Sequence, residues 1–112
     1  MALNEVYKIE FLPAALQDMT EIIASFVMLG SKDGAVRIKN KMNNAAKQAA
    51  SFPYSGVTVP ENKLAKAGYR MMIVEKYLMF YRVFDEDRKV TFYRVLNGAL
   101  NYPNLMKNID PK

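Results

Sequence analysis

Apolar residues recur along this chain with two periods, and the change of period separates a helical first half from a β second half. Residues 5–12, EVYKIEFL, place Tyr7, Ile9 and Phe11 on one parity and Val6, Lys8 and Glu10 on the other, which predicts a strand. Pro13 then suits the first turn of a helix. Ala15, Leu16, Met19, Ile22, Ile23, Phe26 and Val27 form a stripe at helical spacing, and Gly30 ends it. Ser31-Lys32-Asp33 is a short link with capping potential. A second stripe follows at Ala35, Ile38, Met42, Ala45, Ala46 and Ala49, with Arg37, Lys39, Lys41 and Lys47 on its other face. Its small alanines would let it lie close to its neighbour, and the short link predicts an antiparallel helix hairpin. Phe52-Pro53 stops the second helix.

Residues 53–68, PYSGVTVPENKLAKAG, read as a long loop. Three segments rich in aromatic and β-branched residues come next, at 69–75, 77–84 and 90–96, and predict three strands. Lys76 marks a tight turn, residues 85–89 (DEDRK) a polar turn, and Asn97-Gly98 the end of the last strand. The tail, residues 101–112, has room for one helical turn around 105–108. The order is β-α-α-β-β-β. It describes a single α+β domain over residues 1–112, with a helix hairpin packed on one face of a small, mainly antiparallel sheet.

Alternation along the three C-terminal strands separates two sets. One holds Tyr69, Met71, Ile73, Tyr77, Met79, Tyr81, Val83, Thr91, Tyr93 and Val95, and carries no charge. The other holds Arg70, Met72, Val74, Leu78, Phe80, Arg82, Val90, Phe92, Arg94 and Leu96, with one arginine per strand. An unpaired arginine is costly to bury, so the charge-free set is expected under the helices. The arginine set would then be open, as a binding surface built from Arg70, Leu78, Phe80, Arg82, Phe92 and Arg94.

Composition narrows the chemistry further. About half of the 112 residues are hydrophobic (51%), enough for a core. The chain has no cysteine and no histidine. Disulfides, thiol nucleophiles, histidine bases and the usual transition-metal sites are therefore excluded, and neither a metal nor a cofactor is expected. A formal net charge of +5 suggests an anionic partner. There is no apolar run long enough for a membrane span and no signal-peptide pattern, so a cytoplasmic protein with no membrane partner is the expectation.

The element order, together with VYKIEFLPAALQDMTEII, KQAASFPYSG and GYRMMIVEKYLMFYRVFDEDRKVTFYRVLNGALNY, resembles the RelE/ParE superfamily of bacterial toxins, which includes plasmid-stabilisation proteins. The segments Tyr69-Arg70, Phe80-Tyr81-Arg82-Val83 and Arg94-Val95-Leu96-Asn97-Gly98 carry the likeness most clearly. The resemblance implies the toxin of a type II toxin–antitoxin system, which arrests growth and is neutralised by a cognate antitoxin. Its target would be DNA gyrase, as for ParE-like members, or mRNA on the ribosome, as for RelE-like ones. It would exist as a homodimer or a toxin–antitoxin hetero-oligomer. A relative that binds antitoxin but is no longer toxic is a third reading.

RNA cleavage by a 2′-hydroxyl needs a base, an acid and positive charge at the phosphate. Arg70, Arg82 and Arg94 are the candidates for charge, Glu75 for the base and Tyr102 for the acid, in a metal-independent endoribonuclease. Three positions that the resemblance expects to be basic hold Met72, Leu78 and Ala99-Leu100 instead. The framework segments favour the ParE-like reading slightly.

Overall fold

A computed structural model describes residues 6–106. The first strand, β1, covers Lys8–Phe11, and Pro13 opens helix α1 over Pro13–Met28. Gly30 has φ +83° and turns the chain where a side chain would be strained. Ser31 then caps α2 (Lys32–Ser51), its Oγ accepting from Gly34 N at 3.1 Å. The expected α2 stripe is buried throughout: Ile38, Met42 and Ala49 are fully enclosed and Ala35, Ala45 and Ala46 nearly so. In α1 only Ala15 and Met19 are buried, while Leu16 and Val27 are about half exposed (50% and 49%), so the expected stripe is wider than the buried one. Among the described residues no helix is long and apolar enough to cross a membrane.

The segment expected to be a plain loop contains β2 (Val57–Thr58) and α3 (Asn62–Lys66), the latter capped by the Glu61 carboxylate on Leu64 N. Three strands follow, β3 (Arg70–Val74), β4 (Tyr77–Phe84) and β5 (Lys89–Asn97), and then α4 (Tyr102–Met106). The tail does form one helical turn; residues 107 and 108 of the expected span lie outside the described residues, as does residue 5 of the first strand. The sheet order is β1-β5-β4-β3-β2; β1 runs parallel to β5 and the other pairs are antiparallel.

The expected division into two faces is wrong for β3 and for the first half of β5. Val74 and Tyr77 are register partners across the Glu75-Lys76 turn, so they share a face although their numbers differ in parity. Glu75, at φ +54°, makes this turn. In β5 a bulge adds Tyr93: Phe80 pairs with Arg94, but Tyr81 pairs with Phe92. The helix side of the sheet therefore holds Met72, Val74, Tyr77, Met79, Tyr81, Val90, Phe92 and Val95, packed with the buried α2 residues, Ala15 and Met19. On the opposite side, Tyr69, Met71, Phe80, Tyr93 and Leu96 form a second core with Val59, Leu64 of α3 and Met106 of α4. That second face is largely covered, because α3, which the expected plain loop did not include, and the C-terminal turn α4 pack on it. Ile73, expected in the core, is 57% exposed.

Candidate functional site

The three arginines of the expected open face are held in three different environments. Arg70 begins β3 beside Tyr81, its register partner. Its Nη2 donates to the backbone carbonyls of Tyr54 and Gly56, both at 2.9 Å, and its guanidinium lies 5.3 Å from the Tyr54 ring centre. The Nε of Arg70 is buried without a partner. The same corner is tied together by phenols. Tyr81 donates to Pro53 O at 2.7 Å and accepts from Gly56 N at 3.0 Å, while Tyr54 and Tyr7 both donate to the Asp85 carboxylate. The Tyr54 phenol is pushed up to about 12, chiefly because Asp85 accepts its hydrogen bond. The bonds from Tyr54 and then Tyr7 hold the Asp85 carboxyl below its ordinary range. Arg70 thus anchors the segment after α2.

Arg82 lies on the opposite side of the sheet. Its guanidinium sits 5.8 Å from the Tyr69 ring centre and 5.1 Å from that of Phe84, and Nη1 approaches the Tyr93 hydroxyl at 3.5 Å. No carboxylate pairs with it among the described residues.

Arg94 forms a two-pronged pair with Asp18 of α1, at 2.7 and 2.9 Å. Asp18 also accepts from Val95 N at 2.9 Å. The reason is topological. β1 covers β5 only as far as Phe92, so β5 has an uncovered edge beyond it, and the α1 carboxylate takes up the Val95 amide there. An open groove of about 430 Å³ runs along this edge, lined by Asp18, Ile22, Arg94, Leu96, Leu100 and Leu105 among others.

The remaining candidates also separate. Glu75 pairs with Arg37 at 2.9 Å and with Lys41 at 3.1 Å, both on α2. These partners, Arg37 first, hold its carboxyl below the ordinary value, which suits an ion pair rather than a base. The Tyr102 ring packs on Phe80, 5.2 Å between centres. Among the described residues no hydrogen bond or ion pair links Glu75 or Tyr102 to Arg70, Arg82 or Arg94, or to each other. Phe80 and Phe92 are fully buried, one in each core, and cannot line an open surface; Leu78 is half-buried. Among the described residues no group of three or more acidic side chains is placed to hold a metal ion.

Asp18 and Tyr54 are not singled out in the sequence, and Asp85 is only one of several carboxylates that could pair with a strand arginine, whereas it accepts from Tyr7 and Tyr54 instead. Asp18 reads there as one more polar residue of α1, and Asp85 as a turn residue. Only the approach of α1 to the β5 edge, and of residue 54 to residue 85, gives them partners.

The family model described as the ParE toxin of type II toxin–antitoxin systems, parDE, matches residues 9–102. The chain belongs to the ParE toxin family. The matched span runs from β1 to the first residue of α4, so the ParE likeness takes in the helix hairpin, α3 and the five-stranded sheet. No curated protein sequence matches the chain. Solved structures share the fold. The chromosomal ParDE toxin–antitoxin system from P. aeruginosa matches with a TM-score of 0.65 at 16% identity, over 82% of this chain and 96% of that one. The toxin–antitoxin complex RelBE2 from Mycobacterium tuberculosis gives 0.60 at 19% identity, over 83% and 99%. An arginine-substituted mutant of the E. coli toxin RelE in the free state gives 0.62 at 16% identity, over 95% and 100%.

Proposed function

We propose that this ParE-family chain is the toxin of a type II toxin–antitoxin pair, that it acts in the cytoplasm, and that it arrests growth by inhibiting DNA gyrase rather than by cutting RNA. A cognate antitoxin would neutralise it. The observation that supports gyrase over RNA is the dispersal of the candidate charges. Arg94 is committed to Asp18, Arg70 to backbone carbonyls, and Arg82 lies across the sheet among aromatic rings. Glu75 is neutralised by two cations of α2. A phosphodiester-cleaving site needs base, acid and positive charge converging within hydrogen-bond reach of one phosphate, and these side chains point to separate places. A binding toxin has no such requirement.

Inducing the chain without its antitoxin tests this directly. DNA-damage signalling should appear before protein synthesis falls, and the purified chain should inhibit supercoiling by purified gyrase. Intact supercoiling with excess chain, together with cut transcripts, would instead favour a ribosome-dependent endonuclease. Normal growth on induction would leave a non-toxic antitoxin-binding relative.

A further inference from the structure

We infer that Arg82 is a preformed carboxylate receptor, and that its occupant is an aspartate or glutamate side chain of the antitoxin, an inference that rests on the toxin–antitoxin reading above. Arg82 is half-buried, and no acidic group pairs with it among the described residues. The neighbouring cation, Lys89, pairs with Glu10 at 3.2 Å, and Arg94 pairs with Asp18. Two rings, those of Tyr69 and Phe84, hold the guanidinium, which fixes its plane in advance.

Gly68 borders the Nε edge of this guanidinium. This glycine is exposed and has φ +94°, and a Cβ built there would lie 3.5 Å from Arg82 Nε. Any side chain at 68 would begin to fill the space beside the guanidinium. Lys63 and Lys66 of α3 stand exposed just ahead of it in the chain and add positive charge. A planar, oriented guanidinium with an open edge is matched to a carboxylate or a phosphate.

Two features favour a single carboxylate over a nucleic-acid backbone. The adjoining shallow pocket, reached through Phe84 and Thr91, is lined by Glu10, Asp87 and Lys89; its one cation, Lys89, is already paired with Glu10, so it offers a run of phosphates no free positive charge while Asp87 opposes one. Tyr69 and Tyr93 are buried, and the half-buried Phe84 ring already carries Arg82 and Lys89, at 5.1 and 5.6 Å from its centre, so the rings around Arg82 are taken up and not offered to a base.

The test is titration of the antitoxin from the adjoining reading frame against purified chain, at low and high salt. Arg82→Gln should weaken binding at least tenfold and flatten its salt dependence. Arg82→Lys should stay weakened, since an ammonium cannot pair in two-pronged fashion. Gly68→Asp supplies an internal carboxylate and should weaken binding more than Gly68→Asn, which carries the same strain at φ +94° without the charge; this pair serves if loss of the guanidinium impairs folding. Arg82→Gln and Gly68→Asp both binding within twofold of the wild type would overturn the receptor while leaving the toxin reading intact. It would equally be overturned if Arg82→Gln lost retention on a single-stranded RNA oligonucleotide but kept the antitoxin. A wild-type chain that the antitoxin does not bind sinks the toxin–antitoxin reading, and this inference with it.

Discussion

Tyr54 and Asp85 show how one contact sets both the acid and the alkaline limits of a corner of the molecule. The folded Asp85 carboxyl lies below its unfolded value, so its contribution is present above pH about 4 and is lost as pH falls through the depressed value. The Tyr54 phenol, pushed up to about 12, works in the opposite sense. Its contribution is complete below the unfolded value of about 10 and is lost as pH rises through the folded one. Burial pushes the Tyr81 phenol up as well, so ultraviolet titration of tyrosinate should show a late component that Tyr54→Phe reduces by one phenol and Asp85→Ala brings partly back toward ordinary pH. Tyr81 is the more structural phenol. It is fully buried, and its hydroxyl both donates to Pro53 O and accepts from Gly56 N. Tyr81→Phe leaves those groups unsatisfied and should cost about 1–3 kcal/mol in denaturant unfolding. Asp18→Ala strands Arg94 and Val95 N together. A loss of comparable size, about 1–3 kcal/mol, is expected, with Asp18→Asn recovering part of it. Residue types at these positions were visible in the sequence. Their partnerships were not, because residues 18 and 94, or 54 and 85, meet only after folding.

At the scale of elements, legibility followed how local the governing physics is. The two helices, Pro13 at the start of α1, the Gly30 stop and the Ser31 cap were all readable, since each depends on residues within a few positions. Ser31→Ala should cost about 1 kcal/mol by removing the bond to Gly34 N. Gly30→Ala meets nothing within 4 Å, so its cost is purely the strain of φ +83°, about 1 kcal/mol, and Gly30→Asn should lose less. Both can be read from urea midpoints at constant slope. The alanine stripe of α2 was equally legible, and Ala46→Leu there should overpack the helix–sheet seam by about 1–3 kcal/mol. The three C-terminal strands were located to within a residue, but the faces of β3 and of the first half of β5 were not. A turn between register partners and a single bulge each reverse parity, and neither alters the composition of a strand. The short α3 and β2 escaped notice because five and two residues carry too little periodicity to stand out from a loop.

For the whole molecule, the consequence is that a surface expected to carry three arginines does not exist as one surface. The face away from the hairpin is closed by α3 and α4 over Phe80 and Leu96, and of the three arginines Arg82 is the one held by neither a carboxylate nor a backbone carbonyl among the described residues. If the arginines act separately, single alanine substitutions at 70, 82 and 94 should give three distinct phenotypes: a loosened 53–56 segment, weakened antitoxin binding, and lowered stability. Comparing toxicity, antitoxin affinity and unfolding across the three variants checks this, and uniform loss of toxicity alone would argue for one shared site. Sequence alone determined the α+β class, the helix hairpin, the absence of thiol and imidazole chemistry, and the likeness to RelE/ParE toxins. These depend on composition and on spacing along the chain, which folding does not change. Which arginine is paired, which is buried and which is left open was decided by tertiary structure, because register, a bulge and the reach of β1 along β5 determine what each guanidinium meets.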